Sequence, residues 1–197
     1  RSALGVVWSV LNPLLMMLVL VAVFGSFMAN RDPGIGNFAV YLILGNTAFQ
    51  LMSDSTTQGM TSIITAAPLL KKVKVNRYVF PVQKVLFAGV NYAFSIIAIA
   101  LVMVVERTPI GITVLLWPFA LATLMIFSIG VSLLLSALSV FFRDVIHLWG
   151  VVITAWMYLT PLFYSITILP DWLQRLETFN PMYVYVTYIR EAVLYQR

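Results

Sequence analysis

The sequence predicts an all-α integral membrane protein: a helical bundle of five visible spans, a sixth expected, and a re-entrant or interfacial helical segment on the outer side. Three observations lead there. Hydrophobic residues make up 61% of the 197 and charged residues only 10%, where a soluble domain carries about a quarter charged; mean hydropathy is +0.97. Apolar blocks of about 20 residues recur, each able to cross a hydrocarbon core of roughly 30 Å as a helix. Basic residues gather in alternate links between those blocks.

The first span is expected over residues 4–28, interrupted by Asn12-Pro13. The second covers 38–67, apolar to Met52 and then polar through "SDSTTQG". The third, fourth and fifth cover 85–105, 112–142 and 145–164. Three links, "ANRDPGIGN", "ERTPIG" and "FFRDV", are short and rich in turn formers. In residues 165–197 the character changes. Pro161, Pro170 and Pro181 punctuate this part of the chain. Its apolar run, Leu162 to Leu169, is too short to span, which fits a segment whose backbone is satisfied by protein or water.

Orientation follows from the lysines and arginines of the links. Arg1, Lys71, Lys72, Lys74, Arg77, Lys84 and Arg143 fall on one side with a single acid, Asp144. On the other side Arg31, Arg107, Arg175, Arg190 and Arg197 are balanced by Asp32, Glu106, Asp171, Glu177 and Glu191. The first side is therefore read as cytoplasmic. Five spans starting inside leave the last residue outside, so a further span is expected in a longer protein, as is a missing beginning before Arg1.

Several residues stand out. The stretch "PLLKKVKVNRYVFPVQKV" reads either as a membrane anchor near anionic headgroups or as a short cytoplasmic helix, begun at Pro68 and closed before Pro81, that docks on a partner. Asp54 lies in the second span, where an ionisable group is costly and points to function; the other reading is that the span ends early and "SDSTTQG" is wet. Ser128, Ser132 and Ser136 have the spacing that lets helices approach closely. Trp149, Trp156 and Phe163 recur every seven residues, on one face of the fifth span, and Tyr185, Tyr188 and Tyr195 share a side of a helix after Pro181. These aromatics read as a membrane-interface belt or as a lining for sugar rings.

Catalysis finds no support. There is no cysteine and one histidine, His147, so thiolate chemistry and a histidine-rich metal site are excluded. Neither a G-x-S-x-G elbow nor H-E-x-x-H occurs, nor a Walker G-x-x-x-x-G-K-[ST]. The basic excess sits between apolar blocks rather than on a solvated face, which argues against nucleic acid.

Four stretches in order, "LGVVWSVLNPLLMMLVLVAVFG", "LLKKVKVNRYVFPV", "FFRDVIHL" and "LTPLFYSITILPDWLQRLETFNPMYVYVTYIREAVL", resemble the type-2 ABC exporter permeases that move lipid-linked polysaccharides, O-antigens and teichoic acids. The resemblance covers nearly the whole chain, with Asn76 standing where the family commonly has proline. It implies a single transmembrane permease domain over 1–197, incomplete at both ends, in the bacterial cytoplasmic membrane. It also implies a second copy of the chain and two ATP-binding-cassette subunits as partners, with ATP and Mg on those subunits and no cofactor on this chain. Loop 68–84 then becomes a coupling element seated on the ATPase. Lys71, Lys72, Lys74 and Arg77 would make the main contact, and Arg143 and Asp144 a smaller one. The path for a lipid-linked glycan would include Asp54, Trp149, Trp156, Phe163, Tyr164, Trp172, Tyr185 and Tyr188. An exporter of small lipophilic molecules and a membrane-embedded lipid or glycosyl transferase are the alternatives.

Overall fold

A computed structural model of the chain describes residues 3–31 and 37–196, and the side chains of all these but 3–6, 9 and 26–31. Arg1, Asp32, Arg197, the side chain of Arg31 and most of the first link therefore lie outside the described residues. Those described are helical, with no strand among them. The helices are α1 (Ala3–Arg31), α2 (Phe38–Thr65), α3 (Ala67–Leu70), α4 (Val79–Val105), α5 (Trp117–Phe141), α6 (Val145–Leu159), α7 (Asp171–Glu177) and α8 (Pro181–Arg190). A π turn, Glu191–Tyr195, continues α8. By length and composition, Val79–Val105 and Ile112–Phe141 are each able to cross a bilayer.

Local chemistry sets several of these ends. Asn37 caps α2, its Oδ1 accepting from Ala39 N at 3.1 Å and Val40 N at 3.3 Å. Asn180 caps α8 in the same way, accepting from Met182 N at 3.0 Å, with Pro181 in the first turn where no N–H is missed.

α2 runs unbroken through "SDSTTQG", in keeping with the span expected over 38–67, with hydroxyls bonded back to their own helix: Ser55 Oγ donates to Leu51 O and Thr56 Oγ1 to Met52 O. Two boundaries differ from the sequence reading. The helix that one reading of the basic loop begins at Pro68 and closes before Pro81 is a single turn, Ala67–Leu70. Pro81 lies instead in the first turn of α4, a position that tolerates proline. α6 stops at Leu159 rather than reaching 164, since the residue before a proline is pushed out of the α region and Pro161 follows Thr160. At 15 residues it is roughly 22 Å long. Phe163 consequently lies beyond α6 and does not share a helix face with Trp149 and Trp156.

The chain forms two compact units. One comprises Arg1–Phe49, Tyr92–Ala120 and Met157–Arg197. Its core is the first part of α2, where Val40, Leu42, Ile43 and Leu44 are buried. Tyr41 there gathers Phe24, Phe38, Tyr164 and Leu194. The other unit comprises Gln50–Asn91 and Leu121–Trp156. In it α2 packs on α5 so closely that a Cβ at Gly59 would overlap Ser132 Oγ. Ser139 Oγ donates to Met60 O across the same contact at 2.8 Å. Ser128, Ser132 and Ser136 are all buried within this chain.

Candidate functional site

Two features of the second unit bring functional chemistry together. The first is a groove of about 670 Å³ at the ends of α2 and α5. Lys71 and Arg77, from the loop between α3 and α4, line it together with Arg143, from the turn after α5. Ile63, Leu70, Leu133 and Phe141 supply apolar walls, and no carboxylate among the described residues lines it. Two segments remote in sequence thus present three cations to one cavity. Lys72 and Lys74 are exposed but stand outside its lining. Lys84 is on α4 and borders a separate hollow of about 180 Å³ with Ser62 and Phe80. Asp144 is exposed, and its carbonyl accepts from His147 N and Leu148 N at the start of α6.

The second feature is a polar face on α2. Gln50, Asp54, Thr57, Thr61 and Thr65 follow an i, i+4, i+7, i+11, i+15 spacing, which confines them to a stripe about 80° wide. Gln50, Thr57 and Thr65 are exposed on this chain, and Asp54 and Thr61 partly so. Gln50 Nε2 donates to Asp54 Oδ1 at 2.9 Å. The opposite face, with Met52, Ser55, Thr56, Gly59 and Met60, is buried. There Trp149 Nε1 donates to Thr56 Oγ1 at 3.2 Å, and Trp149 meets Trp156 edge-on with ring centroids 6.4 Å apart. Trp149 is thus tied to the packed side of α2 rather than to its polar stripe.

Residues 1–194 match the family described as ABC-2 type transporter. The chain belongs to that family. It is 31% identical over 182 residues to the O-antigen export system permease protein RfbA of Klebsiella pneumoniae, covering 92% of this chain and 69% of that protein. Against the O-antigen export system permease protein RfbA of Myxococcus xanthus it is 29% identical over 198 residues, 99% of this chain and 74% of the other. Against the capsule polysaccharide export inner-membrane protein CtrC of Neisseria meningitidis it is 24% identical over 185 residues, 92% of this chain and 69% of the other.

In this ABC-2 family chain the remaining aromatic candidates lie in the first unit. Phe163 is buried against Tyr158, centroids 6.5 Å apart. Tyr164 donates its hydroxyl to the carbonyls of Tyr158 and Leu159, both at 2.8 Å, closing the end of α6. Trp172 is 64% exposed on α7, and Tyr185 and Tyr188 are half-buried on α8.

Sequence reasoning missed two buried charges within residues 165–197 of this ABC-2 family member. Arg190 is only 3% exposed. It donates to Tyr41 O from Nε and Nη2, both at 3.2 Å, to Pro161 O from Nη1 at 2.9 Å, and to Leu162 O from Nη2 at 2.9 Å. Glu177 is 1% exposed and accepts from Asn180 Nδ2 at 2.8 Å. Burial pushes its carboxyl above the ordinary range, offset in part by that hydrogen bond. The signal for Arg190 was its helical register: it falls three or four residues from Val186 and Val193, both buried.

Proposed function

We propose that the chain is the membrane-spanning subunit of an ATP-driven exporter that carries a lipid-linked polysaccharide out across the bacterial cytoplasmic membrane. Five spans would belong to this part of the chain and a sixth would follow the outer segment. Two copies would enclose the path, and two ATPase subunits would bind ATP and Mg. The supporting relatives are named for O-antigen and capsule polysaccharide export.

The observation that carries this reading is the polar stripe of α2. A helix directed at lipid on that face would leave a carboxylate, a carboxamide and three threonines in hydrocarbon, which bilayers penalise. The stripe therefore fits an aqueous path or a second copy, and its mix of donors and acceptors suits the hydroxyl-rich surface of a glycan. Trp172, Tyr185 and Tyr188 would add ring contacts on the outer side. On the inner side, Lys71, Lys72, Lys74 and Arg77 would seat on the ATPase, with Arg143 and Asp144 as a lesser contact.

The test is charge reversal in the assembled transporter. The K71E/K72E permease, co-expressed with its ATPase subunit, is expected to insert normally and to retain ATP hydrolysis while surface polysaccharide disappears. Normal export by that variant would defeat the coupling assignment. Loss of drug resistance with intact surface polysaccharide, on deleting the permease, would defeat the cargo.

A further inference from the structure

From the groove between the loop and the end of α5 we infer a site for the phosphate headgroup of an anionic lipid, clasped by Lys71, Arg77 and Arg143. The inference rests on the reading that this end of the unit is cytoplasmic. It concerns a resident lipid of the inner leaflet, not the transported one.

The chemistry of the lining selects the ligand class. Its charged groups are all cations, and none is neutralised by a carboxylate within the lining. Ser136 Oγ donates to Leu133 O at 2.9 Å, and Ser139 Oγ to Met60 O at 2.8 Å, so both hydroxyl protons are already engaged. Tyr78 Oη accepts from Asn76 Nδ2 at 3.4 Å, which leaves its own proton to donate. Beyond the lone pairs of those two serine oxygens, the side-chain chemistry of the cavity is donors and positive charge. A sugar needs acceptors as well; a phosphate needs only donors, and two guanidinium groups can each meet it through paired charge-assisted bonds.

The apolar walls select the source. Inorganic phosphate gains nothing from Ile63, Leu70, Leu133 and Phe141. A lipid places its glycerol and first methylenes against them while its phosphate meets the cations, and the volume suits such an amphiphile. The inner leaflet supplies anionic lipid at this depth. Because one wall comes from the coupling loop and the other from the turn after α5, the bound phosphate would tie the two segments together.

Lipid retention by the full-length permease, measured by native mass spectrometry, tests this. The protein is taken from vesicles of phosphatidylcholine with about a quarter phosphatidylglycerol, a composition on the order of an anionic leaflet. Removing two groove cations, R77Q/R143Q, is expected to lower retained phosphatidylglycerol about tenfold, from roughly fivefold per cation less salt screening. Removing two loop cations outside the lining, K72Q/K74Q, is expected to change it less than about twofold, and R77K/R143K, which keeps the charge but loses the planar fork, to fall between R77Q/R143Q and wild type. Equal loss in the two glutamine pairs would mean diffuse attraction and would overturn the site. So would unchanged retention in R77Q/R143Q, or wild-type retention insensitive to salt, a result that does not depend on any variant folding. Displacement of the lipid by millimolar inorganic phosphate alone would assign the groove to a free anion instead. These readings need no ATPase, so selective lipid loss alongside normal export by K71E/K72E would leave the lipid site standing while the coupling reading fell.

Discussion

The guanidinium of Arg190 lies over the ring of Tyr41, with Cζ 3.3 Å from the ring centroid. The same guanidinium gives hydrogen bonds to the Tyr41 carbonyl. One cation thus meets both the π face and the backbone of a residue in the first turn of α2. It also satisfies Pro161 O and Leu162 O, carbonyls left without helical partners where α6 ends.

Truncating Arg190 should therefore be among the most damaging single changes in α8. R190A strips donors from three carbonyls, two of them facing no helical partner, at a cost on the order of 3 kcal/mol. Lysine, with one ammonium in place of a planar fork, should recover only part. Gly45→Ala should resemble R190A, because a Cβ there would overlap Arg190 Nη2. Thermal unfolding in detergent would rank the three, and an R190A protein as stable as wild type would refute the assignment.

Glu177 predicts a pH dependence of definite sign. Its folded carboxyl titrates above the ordinary value, so the folded state holds the proton more tightly than the unfolded chain does. Stability should then fall as pH rises from the ordinary carboxyl range, about 4.3, through the raised folded value, and level off beyond it. E177Q keeps an acceptor for Asn180 and cannot ionise. Its melting temperature should lose that slope, and a slope unchanged in E177Q would assign the effect elsewhere.

The contact between Gly59 and Ser132 predicts non-additive behaviour. G59A should destabilise by about 1–3 kcal/mol through overpacking. S132A should be neutral or mildly stabilising, because Ser132 Oγ is buried without a hydrogen-bond partner among the described residues. Removing the Ser132 side chain in G59A/S132G should restore part of the loss, a coupling that a double-mutant cycle measures directly. Strict additivity would mean the two helices do not touch there.

Asp54 predicts a functional rather than a folding effect. D54N keeps the bond with Gln50 and the polarity of the stripe, so export should persist within about twofold. D54L breaks that polarity and should lower surface polysaccharide about fivefold, the equivalent of ~1 kcal/mol, at unchanged permease abundance. Equal export by both variants would remove Asp54 from the path.

Much of the helical layout was legible in the sequence, because apolar length and proline position act locally. The helix after Pro181 and the third and fourth apolar blocks could be read directly. Three features could not. The hydroxyls of Ser55 and Thr56 turn inward to their own helix, so of the two readings of "SDSTTQG" left open only the continuous helix stands. Arg190 and Glu177 entered only the charge balance of one side, since burial depends on partners more than a hundred residues away or across a turn. Likewise nothing local joins Arg143 to Lys71 and Arg77; the meeting of their two segments is a product of packing α2 beside α5.

The Arg190 clasp also limits how this unit can yield. To swing α8 off the start of α2, a guanidinium would have to abandon three buried carbonyls at once. α8 and the head of α2 are therefore held as one piece, and a rearrangement of the unit would start along another seam.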